Sequence, residues 1–308
     1  MKRAFRAALV VALAMISAVT LIYFASEPSV DQTFSKQAIS FLEDVVKLDM
    51  TQYNVRQVES SESSSNLSDS SELTIKYALV SGGSKIDALF SFRDTTLTWC
   101  KLYFIEGSPL YAQELYMGSI EAFEGFLERY QAYSNFSYVQ DMLDLLNMVN
   151  ETEPATVISG NIRFDFSFSG DEETASWIQT VNGFEIGYNT VHVSFSNGFF
   201  ESFTDSWNRY AVGNAEVNVS EEDAVRIARE FAERHLVEVW PANLTTLYLR
   251  DEPAYAALSM QPRDLERVYP LWQVHFLFDR VFSGFDGIRV SLWADTSEVI
   301  DAKVTYGL

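Results

Sequence analysis

The sequence predicts an α+β fold: antiparallel sheets each packed by helices, preceded by one N-terminal transmembrane helix. Three observations predict it. Many short runs alternate apolar and polar residues and are joined by tight turns, which marks antiparallel strands. Four longer stretches repeat apolar residues at three- and four-residue spacing, which is helical. At the start, Lys2, Arg3 and Arg6 lead straight into an apolar to weakly polar run over residues 7–25.

That run is 19 residues long, and about 20 cross a bilayer as a helix. Positive charge ahead of it holds that end in the cytoplasm and sends the remainder outward. A cleaved signal peptide is the competing reading, with a shorter apolar core and small residues before the cut. Here the run ends in Leu21-Ile22-Tyr23-Phe24, with no small-x-small site. Those two rings suit the outer interface of a retained anchor. The expected location is therefore the cell membrane, single-pass, with the bulk of the chain extracytoplasmic, or secreted if the segment is cleaved. The expected division is 1–26 as signal-anchor or signal peptide, 27–150 as a first α+β domain and 151–308 as a second. Polar, Pro-ended residues 151–154 mark the boundary.

The 308 residues carry 22 Lys+Arg against 43 Asp+Glu, a net charge of −21. Such a surface has no cationic field for phosphates, so nucleic acid is not an expected partner. Hydrophobic residues make up 47% and aromatics 14%, which excludes a disordered chain. A single Cys, Cys100, excludes a disulfide framework and any Cys-rich metal site. Five N-x-S/T sequons begin at Asn66, Asn135, Asn150, Asn218 and Asn243. Each is a candidate glycosylation site on an exported surface.

The first helix is expected over 34–48, where Ala38, Phe41, Leu42, Val45 and Leu48 share a face. A strand follows near 53–58. Residues 60–71 hold eight Ser and no core-forming run, so they read as a hairpin loop. Strands over 73–79, 86–92 and 97–105 come next, with Ser81-Gly82-Gly83-Ser84 as a turn. Ser108-Pro109 reads as the start of a long helix, since Ser caps and Pro suits the first turn. Its stripe is Tyr116, Ile120, Phe123, Leu127 and Tyr130. A shorter helix is expected over 137–149. The second half repeats the mixture: strands over 162–168, 176–180, 184–188, 190–196 and 199–204, then a helix opened by Ser220-Glu221-Glu222-Asp223. Residues 240–262 read as an irregular connection. Strands over 271–278, 287–293 and 299–306 finish the chain.

Residues 219–306 resemble a PepSY-type module, the kind found in peptidase propeptides. Val219-Ser220-Glu221-Glu222-Asp223-Ala224 resembles its helix opening, and Leu271-Trp272-Gln273-Val274-His275-Phe276 its strand. Asp295-Thr296-Ser297-Glu298-Val299-Ile300 resembles its hairpin, with Ser297 in place of the family's turn Gly. Residues 34–105 follow a similar order of elements, and Phe34-Ser35-Lys36-Gln37-Ala38-Ile39 echoes the second helix opening, so a degenerate duplicate is considered there. The resemblance implies an exported, non-catalytic α+β module of the sort that restrains or binds peptidases or other envelope partners. It carries no catalytic residues and no cofactor.

The residues agree in offering little for catalysis. The three His are His192, His235 and His275, without H-E-x-x-H, and no metal centre is expected. No nucleophile elbow or dinucleotide fingerprint is present. Acidic loops at Asp171-Glu172-Glu173 and at 279–286 lack calcium-loop spacing. Paired carboxylates remain: Asp141 with Asp144 on one helix face, and Glu201 with Asp205 at a strand end. A glycan hydrolase needs two such acids across a cleft. Trp177, Trp207, Trp240, Trp272 and Trp293 are read mainly as core, with some available to bind a peptide, glycan or partner strand. The leading expectation is a membrane-anchored extracytoplasmic module, not an enzyme, that binds a protein partner in the envelope. The alternatives are a secreted glycan hydrolase and a structural envelope component.

Overall fold

A computed structural model describes residues 30–64, 71–113, 119–149, 153–239, 247–282 and 284–307. The expected N-terminal anchor lies outside these residues, as do Asn66, Asn150, Asn243, Tyr116 and Trp240. Among the described residues, no helix is long and apolar enough to cross a membrane.

The chain folds into two sheets, each covered by helices. Helix α1 (Val30–Ser40) continues as one π-helical segment over Phe41–Val46. Four strands follow as a meander: β1 (Asn54–Ser64), β2 (Ser71–Val80), β3 (Lys85–Arg93) and β4 (Thr96–Glu106). Then come helices α2 (Ser119–Ser134) and α3 (Tyr138–Leu146). A second meander contains β5 (Ala155–Ser159), β6 (Ile162–Ser169), β7 (Glu172–Val181), β8 (Phe184–Ser196) and β9 (Phe199–Asp205).

These nine strands form one sheet in the order β1-β2-β3-β4-β9-β8-β7-β6-β5. The two meanders join where Trp99, Cys100 and Lys101 pair with Thr204, Phe203 and Ser202. The expected domain boundary at 150/151 therefore falls inside one sheet. The pairing of β4 with β9 is long-range and leaves no local signal. One core serves both halves, because Phe41, Phe90, Phe123, Phe164, Trp177 and Phe203 belong to the same buried cluster. Period two explains the strand side of it. Ile75, Tyr77 and Leu79 point inward from β2, while Thr74 and Lys76 point outward.

The second body begins with the two-residue strand β10 (Ala211–Val212) and helix α4 (Glu221–Val239). Ser220 Oγ accepts from Asp223 N at 3.2 Å, so the expected cap is in place. Strands β11 (Tyr255–Pro262), β12 (Arg267–Phe282), β13 (Phe285–Trp293) and β14 (Val299–Tyr306) pair antiparallel in sequence order. Only β10 runs parallel, along the start of β12. Ala224, Ala228 and Ala232, all fully buried, bring α4 down on Trp272, Val274 and Phe276. A small third cluster, Ile186, Met260 and Val268, joins the bodies.

Three local expectations are corrected. The Ser-rich stretch enters the sheet: β1 runs to Ser64 and pairs with β2, held by backbone bonds rather than apolar side chains. The segment at Ser108-Pro109 is not a helix start. Leu110 N donates to Tyr53 Oη at 2.7 Å and Leu110 O accepts from Asp49 N at 2.8 Å, fixing an extended crossing. Residues 255–262 of the expected irregular connection are a regular strand.

Candidate functional site

The sequence-expected candidates scatter. Asp141 and Asp144 are exposed on α3, with Asp144 accepting from Gln140 at 3.0 Å. Glu201 is the extra residue of a bulge, since Phe200 pairs with Phe195 and Ser202 with Ser194. It turns to Lys101, 3.4 Å away, while Asp205 points into the core. The structure does not bring those two acids together across a cleft. Among the described residues, no three His, Cys, Asp or Glu side chains cluster as metal ligands. Cys100 is buried, and burial pushes its thiol well up. Asn135 and Asn218 are exposed; Asn218 Nδ2 donates to Asp295 O at 3.0 Å.

Two of the three histidines meet hydroxyls. His192 Nδ1 lies 2.8 Å from Ser176 Oγ, and burial lowers its pKa. His275 Nε2 lies 2.9 Å from Thr305 Oγ1, whose own proton goes to Asp286 Oδ1 at 2.7 Å. The imidazole is therefore the donor in that chain. Burial lowers the His275 pKa, with Arg289 acting the same way and Asp286 opposing. Gly287 makes room, because a Cβ there would sit 2.7 Å from His275 Nε2. His235 stacks on Phe231 within α4.

A different place gathers polar groups around a concavity. A groove of about 520 Å³ opens between α1, the β3–β4 turn and the end of α2, within the range of small-ligand sites. From α1 come Thr33, Lys36, Gln37 and Ser40; from the turn, Thr95, Thr96 and Leu97; from α2 and just beyond, Tyr130, Tyr133, Ser134 and Phe136. Helical spacing puts the four α1 residues on one side of that helix, opposite Ala38, Phe41 and Leu42 in the core.

Two features make this groove more than a dent. Gln37 Oε1 is buried and has no hydrogen-bond partner among the described residues. Leaving such a group unmet costs about 1–3 kcal/mol. The second feature is the wall. Tyr133 Oη donates to Gln37 O at 3.2 Å, and burial pushes that phenol up to about 12. Tyr130 and Tyr138 both donate to Asp205 Oδ2, the latter at 2.5 Å, and Trp207 N donates to Oδ1 at 3.0 Å. Burial raises the Asp205 pKa, against those three bonds. Asp205 thus positions the Tyr130 ring from behind.

Sequence reasoning marked Asp205 and Tyr130, but as a paired acid and a core ring. Gln37 and Tyr133 were missed. The only signal was that Gln37 shares a helix face with Thr33, Lys36 and Ser40 and so faces away from the core stripe. Neither family models nor curated proteins give a match to this chain.

Proposed function

We propose that the protein is a non-catalytic binding protein, tethered in the membrane by residues 1–26 with its bulk outside the cell. Its groove takes an extended peptide segment of another envelope protein. One observation carries this reading: the unmet Gln37 Oε1 in a groove of hydroxyls, amide and rings. Turning the Gln37 side chain toward the groove would present that oxygen to a peptide N–H, and Tyr133 and Phe136 offer ring surface beside it. The lining has one charge, Lys36, and no carboxylate, imidazole or thiol. It offers binding contacts without an acid–base pair. The separation of Glu201 from Asp205 weighs against the glycan-hydrolase alternative. We read residues 219–306 as the PepSY-like module of this binder, supported by one helix followed by an antiparallel meander.

Photocrosslinking in native membranes tests the reading. With benzoylphenylalanine at Thr95 or Ser134 of the full chain, irradiation is expected to give one discrete protein adduct, lost on Gln37→Ala. That substitution removes a buried group with no partner, so stability should hold or rise. Absence of an adduct at both positions, or an adduct indifferent to Gln37, overturns the proposal. Protease added outside intact cells should digest residues 27–308; protection would overturn the expected orientation.

A further inference from the structure

The face of the nine-stranded sheet that turns away from the helices is partly open to solvent, with Ser91 and Ser194 buried in it. Lys76, Lys101 and Arg163, on β2, β4 and β6, keep 32%, 31% and 31% of their side-chain surface. Register aligns Ser91, Trp99, Thr204, His192 and Ser176 across five adjacent strands. The neighbouring row continues Lys101 into Ser202, Ser194 and Thr174. Trp99 stands in the middle of these hydroxyls, half-buried, and belongs to none of the three buried clusters. Tyr103, four residues on and on the same face, is 43% exposed. At about 3.3 Å per residue the two rings stand roughly 13 Å apart along β4, enough for an extended chain rather than a single small ring.

Charge narrows the partner. In a chain of net charge −21, the cations of this face are already matched. Lys76 meets Asp87 at 2.7 Å, Lys101 meets Glu201 at 3.4 Å and Arg163 meets Asp165 at 2.9 Å. A polyanion finds no unclaimed cation among them. Ser and Thr are poor anchors for a protein partner, whose contact centres are rich in rings and Arg and depleted in small hydroxyls. A neutral polyhydroxyl chain fits both rows. Its hydroxyls exchange hydrogen bonds with Thr204, Ser202 and His192, and its C–H faces lie on Trp99 and Tyr103. We propose that this face binds a neutral polysaccharide, with Trp99 as its anchoring ring. The surface lies on the opposite side of the sheet from the groove and does not depend on it.

Affinity electrophoresis of the full chain in detergent micelles tests this, with cellulosic β-glucan, α-mannan and amylose each cast in native gels. Retardation by at least one neutral polymer is expected. Trp99→Ala should weaken it about tenfold, the scale of one lost ring contact with its buried area. Trp99→Phe, which keeps a ring, should restore most of it, and Gln37→Ala should leave it unchanged. Tyr103→Ala, at an exposed ring, gives a second reading should Trp99→Ala fail to fold. Retardation by none of the three, retardation of both the Trp99→Ala and Tyr103→Ala variants equal to that of the wild type, or retardation by heparin alone overturns the proposal. Loss of the groove adduct would leave this result untouched, and the reverse also holds.

Discussion

Residues 30–106 and 221–306 share an order of elements, one helical segment and then a four-strand antiparallel meander, yet they close their cores by opposite means. In the second body the helix contributes small residues, Ala224, Ala228 and Ala232, and the sheet supplies bulk through Trp272, Val274 and Phe276. In the first, both layers supply rings. Phe41 packs against Phe126, Tyr133, Phe200 and Phe203, and Phe126 against Tyr130, Phe195, Phe200 and Phe203. Small-on-large packing draws a helix close over three strands. The ring cluster of the first sheet spans more than one helix, since Phe41 meets Phe126 and Tyr133 of α2. The first sheet takes α2 and α3 as well, and the groove lies between α1, the β3–β4 turn and the end of α2.

Opposite substitutions sharpen that contrast. Phe126→Ala empties the middle of the ring cluster, where Phe126 is 1% exposed, and should cost about 3–5 kcal/mol. Ala228→Leu forces volume under α4, where Ala228 is fully buried, and should cost about 1–3 kcal/mol. Calorimetry of each variant should show a different part of the unfolding profile moving. If both changes move a single transition together, the contact at Ile186, Met260 and Val268 couples the bodies into one unit, and the contrast is local packing only.

The two buried acids differ in the same way. Asp295, with a side chain 6% exposed, faces Arg263, whose guanidinium lies between the Tyr269 and Trp293 rings at 4.3 and 4.2 Å. Asp205 has phenols and one backbone N–H instead of a cation. Asp295→Asn should cost about 1.5–3 kcal/mol, the scale of a charged hydrogen bond. Asp205→Asn should cost less, because it removes a carboxylate whose pKa burial has raised. The sign follows from that direction. With the folded pKa above the usual 3.8, the wild-type carboxyl contributes most below that value and loses stability as pH rises through its folded pKa. Measured from pH 4 to pH 7, the gap between wild type and Asp205→Asn should therefore shift in favour of the variant. A gap that shifts the other way would mean that the tyrosine bonds outweigh burial.

Much of this architecture was legible. Strict alternation in Ile75, Tyr77 and Leu79, or in Ile162, Phe164 and Phe166, located strands and their inward faces. Elements that lean on distant partners were not. Strand β5 exposes Ile158 at 67% and shows no clean alternation. The Ser-rich end of β1 is a strand only because β2 lies beside it. Ser108 opens no helix, and Leu110 N donates to the Tyr53 hydroxyl instead. The groove draws on three segments separated by dozens of residues, and an unmet oxygen on Gln37 exists only once they meet. The reading of the second-half tryptophans as mainly core holds for Trp177, Trp207, Trp272 and Trp293, which are buried. Trp99, passed over, stands opposite Cys100 in strand parity, and that alternation was available from the residues alone.

The smallest expected effect concerns hairpin turns. The first sheet closes two of them with Asn182-Gly183 and Asn197-Gly198, all four residues at positive φ, between 50° and 82°. That is the conformation a two-residue turn requires, and Asn and Gly tolerate it best. The second body turns between β13 and β14 with Ser297 at φ 61°, held by Ser297 N donating to Trp293 O at 2.9 Å. Ser lacks the freedom of Gly there, and a left-handed residue with a Cβ costs roughly 1 kcal/mol. Part of that gain returns through the larger unfolded-state entropy of glycine. Ser297→Gly should therefore stabilise the second body by about 0.5 kcal/mol and leave Phe126-dependent unfolding where it is. A loss instead would show that the Ser297 hydroxyl, which donates to Thr296 O at 2.5 Å, outweighs the backbone strain, and that the two bodies solve the turn by different chemistry.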